Sequence, residues 1–145
     1  MIMKKLVHSL LFLVVVQIGF AQDWQTDFDT AKQLASEKNL PIVLVFQGSD
    51  WCAPCIKLDR EIWSSPEFIA HANDHFIMLK ADFPKKKKNA LTPEQDKKNN
   101  LLAEAYNSKG YFPWVVKLNK NGEVLGNTSY QKITPKGYIQ LIESF

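Results

Sequence analysis

The stretch "PIVLVFQ", residues 41–47, constrains the fold more than any other part of this 145-residue chain. It is a continuous apolar, β-branched run of strand length, without alternation between polar and apolar positions. A strand covered on one face alternates; one buried on both faces does not. The run therefore predicts the centre of a sheet with helices on both sides. "TDFDTAKQLASEKN" before it carries Phe28, Ala31, Leu34 and Ala35 at helical spacing. Thr26 is the candidate N-cap there, and Asn39 with Pro41 is the stop. After it, "IKLDREIW" sets Cys55, Leu58 and Ile62 on one side of a helix, and "SSPEF" restarts the pattern with Ser65 as cap and Pro66 in the first turn. "FIMLKADF" reads as a second strand. "TPEQDKKNNLLAEAYNSKG" opens with Thr92, Pro93 and Gln95 in a capping-box arrangement and ends at Gly110. "WVVKLNKNGEVLG" reads as two short strands around an Asn121-Gly122 turn, and "TPKGYIQLIESF" as a last helix capped by Thr134. Strands alternating with helices up to a terminal hairpin predict an α/β protein, a three-layer sandwich with a central mixed sheet flanked by helices.

The first 21 residues read differently. Lys4 and Lys5 precede an apolar run from Leu6 to Phe20, and Gly19 and Ala21 are small residues at the −3 and −1 places of a cut after Ala21. Residues 1–21 are expected to be a signal peptide, with residues 22–145 as one domain that works in the periplasm or as a secreted protein. A retained anchor is the alternative, but the run is short for a membrane span and broken by His8, Ser9 and Gln17. Without the leader's two lysines, 16 basic residues face 15 acidic ones, a net charge of +1. That balance argues against a nucleic-acid partner. The sequence leaves the oligomeric state open.

Both cysteines of the chain lie in "GSDWCAPC", residues 48–55. They follow the buried strand and open a helix. Residues three apart on a first helical turn face the same way, which brings their Cα atoms within reach of a disulfide. Cys52 stands at the helix N-terminus, where unpaired N–H groups favour a thiolate and pull a cysteine pKa below its free value of about 8.5. Cys55, one turn in, is expected to be the more buried. A structural staple is the weaker reading, because so short a loop constrains the unfolded chain little. Zinc wants four ligands, and two thiols are too few, so no metal is assigned here. His71 and His75 lie four apart on a predicted helix and read as surface histidines late in that helix, where positive charge is welcome.

With these residues in hand, the chain resembles the thioredoxin superfamily over essentially all of the mature sequence. The likeness rests on "PIVLVF", "WCAPC" and "GYFPWVVKLNKNGEVLG"; the wording "GSDWC" and the insertion "ADFPKKKK" look most like exported bacterial thioredoxin-like proteins. The resemblance implies Cys52 as nucleophile and Cys55 as resolving thiol. It implies a cis peptide before Pro113, with the backbone at Phe112 pairing to an extended substrate and Trp51 beside the nucleophile. Pro54 matches the proline inside the motif of reducing thioredoxins, and Lys80 a lysine that tunes the site. One departure is plain: counting six residues back from Cys52, where thioredoxins carry a buried aspartate, gives Phe46. Asp50, if close, would oppose the thiolates that Lys80 favours.

Together these readings give a thiol–disulfide oxidoreductase acting on protein disulfides outside the cytosol, as reductant or isomerase. Its redox group is the Cys52–Cys55 pair, so it needs no cofactor. Its partners are proteins with disulfides or thiols, and a membrane thiol donor that recharges it. The alternative is a non-catalytic binding or chaperone module on the same scaffold. The run Lys85–Lys88 reads as a solvated loop, with steering of an acidic partner or an anionic membrane surface as the sharper option.

Overall fold

The computed structural model describes residues 21–145; the expected leader, apart from Ala21, lies outside them. The buried run forms strand β2, Ile42–Gln47, and every residue in it is buried. It pairs in parallel with β3, Ile77–Asp82, and antiparallel with β4, Trp114–Leu118. A two-residue β1, Trp24–Gln25, adds to β3, and β5, Val124–Thr128, closes the other edge, giving the order β1-β3-β2-β4-β5. The mixed sheet expected from the sequence is present, with β1 as an addition. A strand that short is created by its pairing with β3 and leaves no periodic trace.

Alternation along β2 divides the interior into two layers. Val43 and Val45 face a core with Leu58, Ile62, Trp63, Phe68, Tyr138 and Ile142. Ile42, Leu44 and Phe46 face the opposite core with Ala31, Ala35, Leu79, Leu102 and Leu118. The first layer is covered by α2 (Ala53–Leu58), α3 (Pro66–His75) and α5 (Pro135–Glu143). The second is covered by α1 (Phe28–Lys38) and α4 (Pro93–Tyr106). Each fully buried Val, Leu, Ile or Phe contributes about 1.5–3 kcal/mol.

Most helix ends follow the local chemistry read from the sequence. Ser65, Thr92 and Thr134 each accept a backbone N–H of the first turn, and a proline follows each. Asn39 ends α1 in the left-handed region, at φ 52°. Four details differ. The N-cap of α1 is Asp27, whose Oδ1 accepts from the Thr30 N–H at 2.8 Å, and not Thr26. Gln95 does not return a bond to Thr92; its Nε2 donates to the Thr26 carbonyl and to Asn99, fastening α4 to the start of α1. Helix α4 stops at Tyr106, before Gly110. The predicted helix through Trp63 turns into a π-type segment at Asp59–Trp63, with the Ser64 N–H on the Asp59 carbonyl at 2.8 Å. The wider turn sends both Ile62 and Trp63 inward.

Lys117 on β4 is buried between sheet and α5. Its ammonium donates to the carbonyls of Ile142 at 3.0 Å and Phe145 at 3.4 Å, at the C-terminal end of α5, where positive charge is welcome. Trp63 is the keystone of this layer, in edge-on contact with Trp24, Phe68 and Tyr138. Tyr138's phenol is pushed up by burial, and its hydroxyl donates to the Ser129 carbonyl at 2.9 Å. Replacing Trp63 by Ala is expected to cost about 3–5 kcal/mol, measured as a lowered urea midpoint with an unchanged slope.

Candidate active site

The chain leaves β2 at Gln47 and enters α2 at Ala53, and the connection is fixed at both ends. The Phe83 N–H donates to the Gln47 carbonyl at 2.9 Å, which carries the β2–β3 ladder past the strand ends. Asp82 then accepts the Ser49 N–H at 2.9 Å and the Ser49 hydroxyl at 2.6 Å. The N–H groups of Trp51 and Cys52 turn back onto the Gly48 carbonyl. A side chain at Gly48 is not tolerable in this arrangement: a Cβ there would collide with the Trp51 ring. The indole is fixed further by its Nε1–H, which donates to the Phe83 carbonyl at 2.7 Å.

Cys52 is the N-cap of α2 and is bonded to Cys55, with the Cα atoms 5.2 Å apart. The Cys55 N–H points at the Cys52 sulfur at 3.3 Å, the contact expected to stabilise a thiolate at a helix start. Pro54 occupies the first turn and is exposed. Both cysteines are buried, Cys55 at 3% exposed and Cys52 at 4%.

The peptide between Phe112 and Pro113 is cis, as the resemblance implied. Pro113 is buried and Phe112 half-buried. Phe112 meets Trp51 edge-on at 5.4 Å between centroids and Phe83 at 5.5 Å. Trp51, Phe83 and Phe112 thus make a continuous aromatic rim. Trp51 and Phe112 were expected there. Phe83 was not, because its place follows from the extension of the β2–β3 ladder rather than from a motif.

Behind the pair, Cys55 opens onto a cleft of about 240 Å³ lined with Gln47, Ser49, Ile56, Asp59 and Lys80. Lys80 therefore shares a cleft with the second cysteine, although it is not unpaired: its ammonium lies 4.5 Å over the Trp24 ring. Phe46, at the position where thioredoxins carry a buried aspartate, is a fully buried core residue and does not line the cleft. Phe46 faces the layer of α1 and α4, whereas Val45 faces the other core and Gln47 reaches the cleft. A one-residue offset in the loop turns every strand side chain to the other face. The carboxylate in the cleft is Asp59, four residues after Cys55 and thus one turn away, a spacing visible in the sequence but unread there.

Asp50, two residues before Cys52, is engaged by the loop that follows β3. Its carboxylate accepts the N–H groups of Lys85 at 2.9 Å and Lys86 at 3.0 Å, and the side-chain amide of Asn89 at 2.9 Å. The Lys85 N–H, then the Asn89 amide, hold its pKa near 2. The anchor is therefore complete above the ordinary carboxylate value near 4 and is lost only as pH falls through about 2. His71, His75 and Glu143 form a separate group, with His71 Nε2 3.0 Å from Glu143 and their ligand atoms within 4.8 Å of one another; neither cysteine belongs to it.

Residues 23–120 match the thioredoxin-like family. The chain belongs to that family. It is 33% identical over 121 residues to the disulfide bond reductase DsbH of Chlamydia pneumoniae, a match covering 83% of this chain and 70% of that one. A solved structure described as DsbH oxidoreductase superposes with a TM-score of 0.79 at 31% identity, covering 86% of this chain and 83% of that one. A disulphide isomerase from Xylella fastidiosa Temecula1 shares the fold at 22% identity and a TM-score of 0.59, covering 80% of this chain and 86% of that one.

The Gly48→Ala substitution tests how the rim is built. It is expected to displace the Trp51 indole, shift its N–H resonance in a two-dimensional NMR spectrum, and cost about 1–3 kcal/mol of stability.

Proposed function

We propose that this chain is an exported protein-disulfide reductase in which Cys52 attacks and Cys55 resolves. The observation that carries the reading is the Cys52–Cys55 bond at the start of α2, open behind to a cleft with Lys80 and Asp59. The reducing direction is supported by Pro54 in the motif and by the 33% identity to a disulfide bond reductase. Export rests on the leader read at residues 1–21, with cleavage after Ala21. Among the described residues no helix is long and apolar enough to cross a membrane.

The reaction runs in two exchanges. The Cys52 thiolate, stabilised by the N–H groups of the helix start, attacks one sulfur of a client disulfide. The client's S–S bond breaks, its other sulfur leaves as a thiolate and takes a proton, and a mixed disulfide with Cys52 remains. Cys55 then loses its proton and attacks the Cys52 sulfur. The second client sulfur leaves and is protonated, and the 52–55 bond closes. Two electrons pass from the cysteine pair to the client. Client backbone pairs at Phe112, against Pro113, and its side chains lie on Trp51. The oxidised pair is recharged by a membrane thiol donor, which supplies the two electrons back, and no further cofactor takes part.

Charge around Cys55 sets the balance. Lys80 favours the thiolate of the reduced form, and Asp59 opposes it. Lys80→Met is expected to lower the reduction potential by about 10–30 mV, and Asp59→Asn to raise it by a similar amount, each read against a glutathione buffer. The parent potential is expected near or below the ~−180 mV of isomerases; a value near −120 mV would overturn the reducing direction.

Insulin reduction with dithiothreitol as electron donor checks the activity. Cys52→Ser is expected to fall to the uncatalysed rate, and Cys55→Ser to accumulate the client as a mixed disulfide on Cys52. Binding of insulin by parent and Cys52→Ser alike, with reduction by neither, would make the protein a binding module.

A further inference from the structure

Four consecutive lysines, Lys85–Lys88, lie in the connection between β3 and α4. In the sequence they have no address. In the structure they are pinned beside the cysteine pair. Asp50, two residues before Cys52, holds the backbone of Lys85 and Lys86 and the side chain of Asn89. The Trp51 Nε1–H holds the Phe83 carbonyl, and the Lys85 ammonium rests 3.9 Å over the Trp51 ring. The loop is thereby fastened to the active-site turn at both of its ends, and all four lysines stay exposed.

The charge balance of the rim follows from those contacts. Asp50 is turned into the loop, and Asp82 is taken up by Ser49, so neither carboxylate offers its oxygens to an incoming molecule. An incoming molecule meets the aromatic surface of Trp51, Phe83 and Phe112 and, at its edge, the Lys85 ammonium, with the exposed Lys86, Lys87 and Lys88 following in the same loop. The mature chain carries a net charge of only +1, so this positive field is local to the redox face. Fields of this kind act over roughly a Debye length, about 8–10 Å at moderate salt, and speed the approach of opposite charge.

We propose that the Lys85–Lys88 collar selects client segments with acidic residues beside the disulfide and an apolar residue for the aromatic rim. The proposal rests on the reductase reading above. An extended acidic segment fits better than a membrane surface, because a bilayer seated on the collar would also cover Trp51, which adjoins the nucleophile.

The test uses three peptides with the same disulfide and apolar anchor, flanked by Asp/Glu, by Ser/Gln or by Lys. Single-turnover reduction by the pre-reduced protein is followed by tryptophan fluorescence. At about 20 mM salt the acidic peptide is expected to react about tenfold faster than the neutral one, and the basic peptide slowest; about 500 mM salt should collapse the series. The variant K86E/K87E/K88E, which spares the Lys85–Trp51 contact, should invert the order. K86S/K87S/K88S should bring the acidic-to-neutral ratio to about one. Binding of disulfide-free versions of the peptides to the Cys52→Ser protein is measured in parallel, so the collar is judged separately from turnover. Failure to reduce any peptide would count against the reductase reading alone. Equal rates and equal affinities across the three peptides would overturn the collar. So would lysine-dependent co-sedimentation with phosphatidylglycerol vesicles without any peptide preference.

Discussion

Parallel pairing between β2 and β3 does not end with the strands, and the redox face depends on that continuation. Phe83 extends the ladder onto Gln47, Asp82 clamps Ser49, and Asp50 clamps the loop that follows. Each bond ties the short turn before Cys52 to the chain leaving β3. Buried strands supply a rigid base, and these polar contacts carry its rigidity one loop further, to the start of α2. A cysteine at a helix N-terminus gains from that support, because the N–H groups that favour a thiolate act only if the sulfur is held over them.

Three aspartates, Asp27, Asp50 and Asp82, act as fasteners. Asp27 caps α1 and pairs with Lys98 on α4, which holds its pKa near 2. Asp50 and Asp82 fasten the active-site turn. Asp59 is the one that lines the Cys55 cleft, alongside Lys80. Sequence distance gave no warning of this division, since Asp50 lies two residues before Cys52 and Asp59 four after Cys55.

What could be read from the sequence was whatever depends on neighbours in the chain. The burial of β2, the caps at Ser65, Thr92 and Thr134, the left-handed Asn39 and the CxxC at a helix start are all local chemistry, and all are present. What could not be read depends on partners far along the chain or on a shift of one residue. The strand at Trp24 exists because β3 lies beside it. Phe83 joins the rim and Lys85 meets Trp51 because two loops more than thirty residues apart are bonded together. Counting back from Cys52 landed on Phe46, and the alternation of the strand places that side chain in the wrong layer. The π-type turn at Asp59–Trp63 adds one residue to a helix whose side-chain pattern hardly registers it.

The sheet separates two jobs that share one reaction. Lys80, Asp59 and Cys55 lie with the layer of α2, α3 and α5, while Phe83, Phe112 and Trp114 pack against the layer of α1 and α4. In the proposed reaction the first group bears on the energetics of the cysteine pair, and the rim residues of the second bear on the client. On that proposal, side chains that change the recipient sit on the far side of a rigid partition from those that set the driving force. A lineage of such proteins could exchange one clientele for another while keeping its electron-transfer energetics intact.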